Sequence, residues 1–428
     1  MKFAVFGLGN IGLPLACIFA SIGKVIAADI DKKKVDMINN GISPLPNEEL
    51  LPKLLKKYVE EKKIEATIDL EYAAKNSDVK IIIVPLVINK NKKPDFSSVI
   101  FVSEIVGKNL KNEDLVIVST TMPIGATRNI VGKILEKESK LKAGKDFYLV
   151  YAPEQAMNPH VIRDLTGNYE QIIGGVNKKS AEKAKEIYEK INKKGVILVK
   201  NCETAELIKL SGVGLYRYVN IALAAEIAKI CEKFNIDYIE VMENTNLIKF
   251  YHLHKPTIGI GGHCAPVYPY FIYNQFQDFK LLKNSIEINE SLPKHSVELI
   301  KKSVGSLKNK KIAVLGLSYK GNVKEDRFSP TYEVIKILKK EGAKIFIHDP
   351  FYTKEELEKK TKVKYIQENE LEKMDGVIVA TDHEEYKKLD FPKNLEFIFD
   401  GKSFLDQKKI TKKGIKYLAI GRLSFDEA

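Results

Sequence analysis

The chain has 428 residues, a formal charge of +13 from 69 basic and 56 acidic side chains, and 44% hydrophobic content. That length predicts two or three packed domains, and no apolar run approaches the ~18 residues a membrane span requires. The four cysteines, Cys17, Cys202, Cys231 and Cys264, show no paired spacing, which argues against a disulfide framework or a zinc site and fits a reducing cytoplasm.

The basic excess lies on lysines interspersed with glutamates along helical faces, so it reads as a solvated surface and not as a nucleic-acid footprint. An anionic substrate such as a nucleotide diphosphate is compatible with it. Arginine is scarce: Arg128, Arg163, Arg217, Arg327 and Arg422 are the whole set. Each is a candidate for planar, bidentate recognition.

The N-terminus, Met1–Gly7, is too short for a signal peptide and reads as a strand. Across residues 1–200, strand runs at Lys2–Gly7, Val25–Asp29, Lys80–Pro85, Leu115–Thr120, Phe147–Tyr151, Gln171–Gly174 and Val196–Val199 alternate with amphipathic segments such as Gly125–Lys140 and Lys179–Lys193. This pattern predicts a parallel sheet covered by helices. Residues 201–305 carry little strand signal. One long helix is expected over Glu203–Asn235, more helix to about Asn246, then a glycine-rich loop and a helix over Leu282–Val304. A long apolar-faced helix between two sheet domains suits a homodimer interface. From Lys311–Gly316 the alternation restarts, with strands at Lys344–His348, Gly376–Thr381, Phe397–Asp400 and Lys416–Ile420 over 306–428. The expected fold is α/β: two Rossmann-like parallel-sheet domains joined by a long central helix and a helical middle domain. Two such sheet domains facing each other would take one ligand from each side of a cleft.

Gly7-Leu8-Gly9-Asn10-Ile11-Gly12 follows a strand and opens a helix, and Asp29 ends the next strand about 20 residues on. The glycines allow a tight turn and close approach to a pyrophosphate at a helix N-terminus. Asp29 would accept from a ribose hydroxyl and repel a 2′-phosphate, so NAD is expected over NADP. Lys34, with Lys32 and Lys33, lies close to that position, and Pro85 ends the strand run Lys80–Pro85.

Cys264 lies in Gly259-Ile260-Gly261-Gly262-His263-Cys264-Ala265-Pro266. A thiolate can trap an aldehyde as a thiohemiacetal, which then loses a second hydride to become a thioester. A nucleotide fingerprint and a glycine-framed thiol together therefore suggest oxidation past the aldehyde. Cys17, Cys202 and Cys231 read as buried small hydrophobes. His263 reads as an orienting or packing residue and not as a base.

Eight segments in this order resemble the UDP-glucose/GDP-mannose dehydrogenase family: Gly7–Gly12, Ser119–Pro123, Ala152-Pro153-Glu154, Glu206–Leu210, Gly259–Pro266, Gly316–Lys320, Asp326–Pro330 and Asp400-Gly401-Lys402. The Gly-Gly-His-Cys-x-Pro form looks most like the branch that oxidises UDP-N-acetylhexosamines. The resemblance implies four-electron oxidation of a sugar C6 alcohol to a carboxylate with two NAD. UDP-N-acetylmannosamine is the first expected substrate, and UDP-glucose the alternative. It implies that Cys264 is the nucleophile and that Lys209 holds the oxygen on C6. Thr121 and Glu154 would position a water, and Thr121 would also touch the cofactor. Lys320 would bind substrate, and Arg327 would lie near the cofactor. Gln155, Arg217, His254 and Gly261 are further expected substrate contacts, and Asn10, Ile11, Lys34 and Pro85 further cofactor contacts.

The chain departs from the family pattern in three places. Val213 stands where an Asn is usual, and Arg217 follows Lys209 by eight residues instead of seven. One extra residue turns a helical face by about 100°, so a π-bulge between Lys209 and Arg217 is expected. Tyr268 stands where an Asp is usual, and Gln155 replaces a basic residue. Losing the Asn and Asp leaves a turnover-impaired, nucleotide-sugar-binding protein as a second reading.

Overall fold

The computed structural model describes residues 1–157 and 159–422. The described residues fall into two compact units, residues 1–212 with Tyr270–Gln275, and Val213–Pro269 with residues 276–422.

The first unit is built on β1 (Lys2–Phe6), β2 (Lys24–Ala28), β3 (Ile64–Thr67), β4 (Val79–Ile82), a short hairpin of β5 (Val87–Ile88) and β6 (Pro94–Asp95), β7 (Leu115–Val118), β8 (Tyr148–Tyr151), β9 (Gln171–Gly175) and β10 (Val196–Val199). Eight of these strands form one sheet in the order β10-β9-β8-β7-β4-β1-β2-β3. Its apolar strands are buried on both faces, as expected when helices cover a parallel sheet. Each fully buried aliphatic side chain contributes about 1.5–3 kcal/mol of transfer free energy. Strand β3, missed in the sequence, is short, lies at the sheet edge and buries only Ile64 and Ala66.

The parallel expectation fails at one pair: β9 runs antiparallel to β8, and β10 is parallel to β9. The reversal has a consequence for the site. An antiparallel partner needs no crossover, so the connection 152–170, which carries Glu154 and Gln155, stays at the carboxyl edge of the sheet. After β10 the chain enters the helix Cys202–Leu210, capped by the Asn201 side chain on Thr204 N. That helix runs back toward the carboxyl edge and delivers Lys209 there.

The second unit carries β11 (Lys311–Leu315), β12 (Lys344–His348), β13 (Lys364–Tyr365), β14 (Gly376–Val379), β15 (Phe397–Asp400) and β16 (Lys416–Leu418). All pairs are parallel, in the order β13-β12-β11-β14-β15-β16. Counted within the unit this is 3-2-1-4-5-6, the doubly wound dinucleotide-fold order. Alternate residues of β11 face opposite cores: Ile312 and Val314 pack with the helices Tyr218–Phe234 and Lys280–Val304, while Ala313 and Leu315 pack under Tyr386, Phe391 and Tyr417.

The single long helix expected over Glu203–Asn235 is interrupted. An α-helix over Cys202–Leu210 gives way to a π-helical turn over Ser211–Arg217, and α-helix resumes over Tyr218–Phe234. The π segment absorbs the extra residue between Lys209 and Arg217. Gly214 sits against Tyr268, where a Cβ would come within 3.1 Å of the tyrosine Cβ. No described helix is long and apolar enough to cross a membrane, and no described His, Cys, Asp and Glu side chains cluster as a metal site.

Candidate functional site

In the first unit the fingerprint turn lies where the strand order reverses, between the carboxyl ends of β1 and β4. Gly7 adopts φ +99, which favours glycine. A Cβ there would crowd Ile83 O, and one at Gly12 would overlap Gly7 O, so both positions close the turn into the helix Gly12–Ala20. At Gly9 a Cβ would meet nothing within 4 Å. The turn is therefore tight below and open above, the shape an approaching pyrophosphate needs.

Asp29 follows β2. Its Oδ2 accepts from Leu8 N at 2.8 Å and from Lys34 Nζ at 2.8 Å, and its Oδ1 accepts from Asp31 N at 3.0 Å. Burial alone would raise this carboxyl, but the bonds from Lys34, Asp31 and Leu8 hold it below its ordinary value. One lone pair of Oδ1 remains for a ribose hydroxyl. Lys34 thus meets Asp29 itself. Asn10 and Ile11 lie within the turn, and Pro85 is exposed just beyond β4. These residues fit NAD, which when bound supplies the hydride acceptor.

At the carboxyl edge of the same sheet, Lys209 Nζ lies 2.9 Å from Glu154 Oε1 and 2.5 Å from the Glu154 carbonyl oxygen. Helix and loop therefore bring together the cation and carboxylate that the sequence paired only through the family resemblance. Thr121 is buried three residues beyond β7, and Gln155 is half-buried next to Glu154. Glu206, given no role from sequence, lies one turn before Lys209 with its carboxylate buried. It accepts from Thr127 N at 2.8 Å and from Gly125 N, and so holds the Pro123–Thr127 turn in place. Desolvation lifts its carboxyl to about 7 despite those bonds. The clue was the carboxylate at i−3 from Lys209, but nothing local in the chain showed that its partners lie some 80 residues upstream.

In the second unit the cysteine loop is locked from below. A Cβ at Gly261 would overlap Tyr319, and one at Gly262 (φ +94) would press into the Tyr319 ring. Gly262 N donates to Arg327 O at 2.8 Å. Cys264 O accepts from Val267 N at 3.0 Å and Tyr268 N at 2.9 Å, which starts the next helical turn. Cys264 is half-buried, whereas Cys17, Cys202 and Cys231 are buried. Burial pushes the thiols of Cys17 and Cys202 up to about 12.

Arg217 and Arg327 are both exposed and both act electrostatically on Tyr319. Arg327 Nε lies 3.7 Å from Glu325 Oε1, and the other three arginines are spent on carboxylates at 3.0 Å or less: Arg128 on Glu203, Arg163 on Glu49, Arg422 on Asp237. Arginine scarcity therefore marked ligand recognition at two positions at most. His254 is held below its ordinary value by burial, then by His252 and Arg217. Its Nε2 is buried without a partner. Lys320 is exposed beyond β11, and Lys402 Nζ reaches Tyr319 O at 3.3 Å.

The chain matches three domains of one family: the NAD binding domain of the UDP-glucose/GDP-mannose dehydrogenase family over residues 1–192, its central domain over 203–291 and its UDP binding domain over 313–413. It is 33% identical to the UDP-N-acetyl-D-mannosamine dehydrogenase of Pyrococcus horikoshii over 99% of both chains. It is 34% identical to the Methanocaldococcus jannaschii protein of the same name, over 98% of this chain and 96% of that one. Among solved structures, that of the UDP-D-ManNAc dehydrogenase of Pyrococcus horikoshii superposes with a TM-score of 0.89 at 31% identity, covering 99% of each chain. A fingerprint turn open to NAD, a Lys–Glu pair at the carboxyl edge of the same sheet and a clamped half-buried thiol thus occur in a chain that belongs to the UDP-glucose/GDP-mannose dehydrogenase family.

Proposed function

We propose that this chain is a nucleotide-sugar 6-dehydrogenase that oxidises the C6 alcohol of a UDP-N-acetylhexosamine, UDP-N-acetylmannosamine first, to the uronate with two NAD. The observation that carries this is Cys264: alone among the four cysteines it is not buried, and its glycine loop is fixed under Tyr319. The names of the relatives and the Gly-Gly-His-Cys-x-Pro run support the N-acetylhexosamine.

In this reading the Cys264 sulfur attacks the aldehyde carbon formed in the first oxidation. The C–S bond forms as the carbonyl pair moves onto oxygen, where the Lys209 ammonium stabilises it. Loss of the second hydride gives the thioester. A water held by Thr121 and Glu154 then adds, the C–S bond breaks, and sulfur leaves with its electron pair. Lys320, Gln155, Arg217, His254 and Gly261 hold the nucleotide sugar; Gly7, Gly9, Gly12, Asp29 and Arg327 serve the cofactor.

The apolar side chains Tyr216, Leu223, Ile230 and Phe234 are exposed along one stripe of the central helices, which supports a homodimer. Four cysteines outside any disulfide support a cytoplasmic location.

The test is the count of NADH formed per sugar consumed across a panel of UDP- and GDP-sugars. Two per sugar is expected. One per sugar means an aldehyde product, and none with measurable binding means a protein that has lost turnover. Val213 and the buried Tyr268 favour this last reading, because neither supplies the polar group usual there. Cys264→Ala should abolish acid formation, and undiminished acid from that variant would sink the covalent route.

A further inference from the structure

The histidine next to the thiol is more than packing. His263 is half-buried, and its side chain hydrogen-bonds the Cys264 side chain. Its Nδ1 is buried and meets no hydrogen-bond partner. Gly262 is tied to Arg327 O on one side, and Tyr319 fills the space beneath Gly261 and Gly262. The imidazole and thiol are therefore adjacent side chains on a loop whose backbone is fixed. Charged groups around them come from two further segments. Arg327 and Glu325 act on His263, and Arg217 and Arg327 act on Tyr319 beside it.

We propose that His263 takes the proton of Cys264, so that the resting nucleophile is a thiolate paired with an imidazolium. The proton moves from sulfur to the ring nitrogen, and the S–H bonding pair stays on sulfur. This rests on the reading of Cys264 as the nucleophile and adds a positioning residue to it.

The energetic direction is consistent. The bond to Cys264 raises His263 above its ordinary value, burial works against that rise, and the charge on Cys264 adds to it. Arg327 opposes the imidazolium and Glu325 favours it. A free thiol ionises near pH 8.5 and is mostly protonated at neutral pH, and a neighbouring imidazolium removes that handicap. Cys17, Cys202 and Cys231 have no such neighbour among their electrostatic partners, and burial holds each thiol protonated.

The test is the pH dependence of alkylation by iodoacetamide, with the adduct mapped to Cys264 by mass spectrometry. The three buried cysteines make that site selective. In the full chain, half-maximal rate is expected well below pH 8.5, and His263→Gln should raise it by about one pH unit and slow alkylation at pH 7 about tenfold. kcat should fall in the variant while KM for NAD holds. Superimposable profiles for the two proteins, or a wild-type half-maximum at or above the free-thiol value, would overturn the pair. Should His263→Gln fail to fold, the wild-type profile still decides, joined by an NMR titration of His263 in Cys264→Ser, where the imidazole should become more acidic. The two proposals fail separately. Absence of NADH from every sugar sinks the function and leaves the alkylation profile intact. An unshifted profile sinks the pair and leaves the NADH stoichiometry intact.

Discussion

Both sheets open with the same turn, and the two turns are put to opposite use. In the first unit Gly7 (φ +99) donates to Ala28 O at 2.9 Å, and Leu8 N donates to Asp29 at 2.8 Å. In the second, Gly316 (φ +103) donates to His348 O at 2.7 Å, and Leu317 N donates to Asp349 at 2.8 Å. The backbone and the acidic residue after the second strand correspond one to one. The surroundings do not. Asp29 is half-buried and keeps a lone pair for a ligand, whereas Asp349 is buried and accepts from Ser318 N, Phe351 N and His383 Nε2 as well. His383 Nδ1 accepts from Asn322 N, which leaves Nε2 as the nitrogen that faces Asp349. Gly316 has Thr381 packed against it, and Thr381 Oγ1 bonds Ser318 O. The helix that follows Gly7 begins at Gly12, but the one that follows Gly316 begins only at Thr331. At the second turn the acid's bonds are spent within the protein, and no helix N-terminus directly follows to meet a pyrophosphate. Topology made two dinucleotide-type turns, and side chains left only the first with an acid that can still accept from a ribose.

The largest effect should separate the two acids. Asp349→Ala strands three backbone donors and a histidine in the interior and should cost about 3–5 kcal/mol in urea unfolding. Asp29→Ala should cost under about 1 kcal/mol and instead weaken NAD at least tenfold. The bonds around Asp349 hold its carboxyl below its ordinary value despite burial. Its contribution is therefore complete above the unfolded value and is lost as pH falls through the folded one, so the gap between wild type and Asp349→Ala should close only in acid.

The buried carboxylate of the first unit should respond to pH in the opposite sense. Glu206 is lifted to about 7 by burial. Between the unfolded carboxyl value and about 7 the folded state holds a proton that the unfolded state has lost. Stability therefore falls as pH rises through that window, by on the order of 3 kcal/mol. Thermal unfolding of Glu206→Gln between pH 5 and 8 should be nearly flat where wild type declines. A parallel decline in both proteins would remove Glu206 as the source.

A smaller contrast lies in the glycines. Gly9→Ala meets no protein atom, so the unfolding midpoint should stay within about 0.5 kcal/mol of wild type while NAD affinity falls about tenfold. Equal losses of stability and affinity would show that Gly9 closes the turn and does not face the ligand. The smallest effect belongs to Lys34→Ala. Its half-exposed pair with Asp29 should be worth under about 1 kcal/mol in stability, and calorimetric NAD affinity should move less than about threefold.

Much of this was legible in the chain because it is local. The strands Lys344–His348 and Phe397–Asp400 lie where the apolar runs put them, and the Gly7–Gly12 turn with Asp29 follows from spacing alone. The π-helical turn over Ser211–Arg217 could be anticipated because one surplus residue between two expected contacts has few ways to be absorbed. Strand β3 and the reversal at β9 were not legible, since an edge strand with two buried residues and the direction of a pairing leave little local trace.

What the sequence determined by itself was the α/β alternation, the identity of the open phosphate turn and the residue types that chemistry requires. Tertiary structure alone decided which copies of a repeated turn remain usable, which arginines are consumed by carboxylates and where Glu206 and His383 spend their bonds. The reason is that a hydrogen bond or a filled cavity depends on partners tens of residues away, and nothing local in a chain records whether a polar group will meet one.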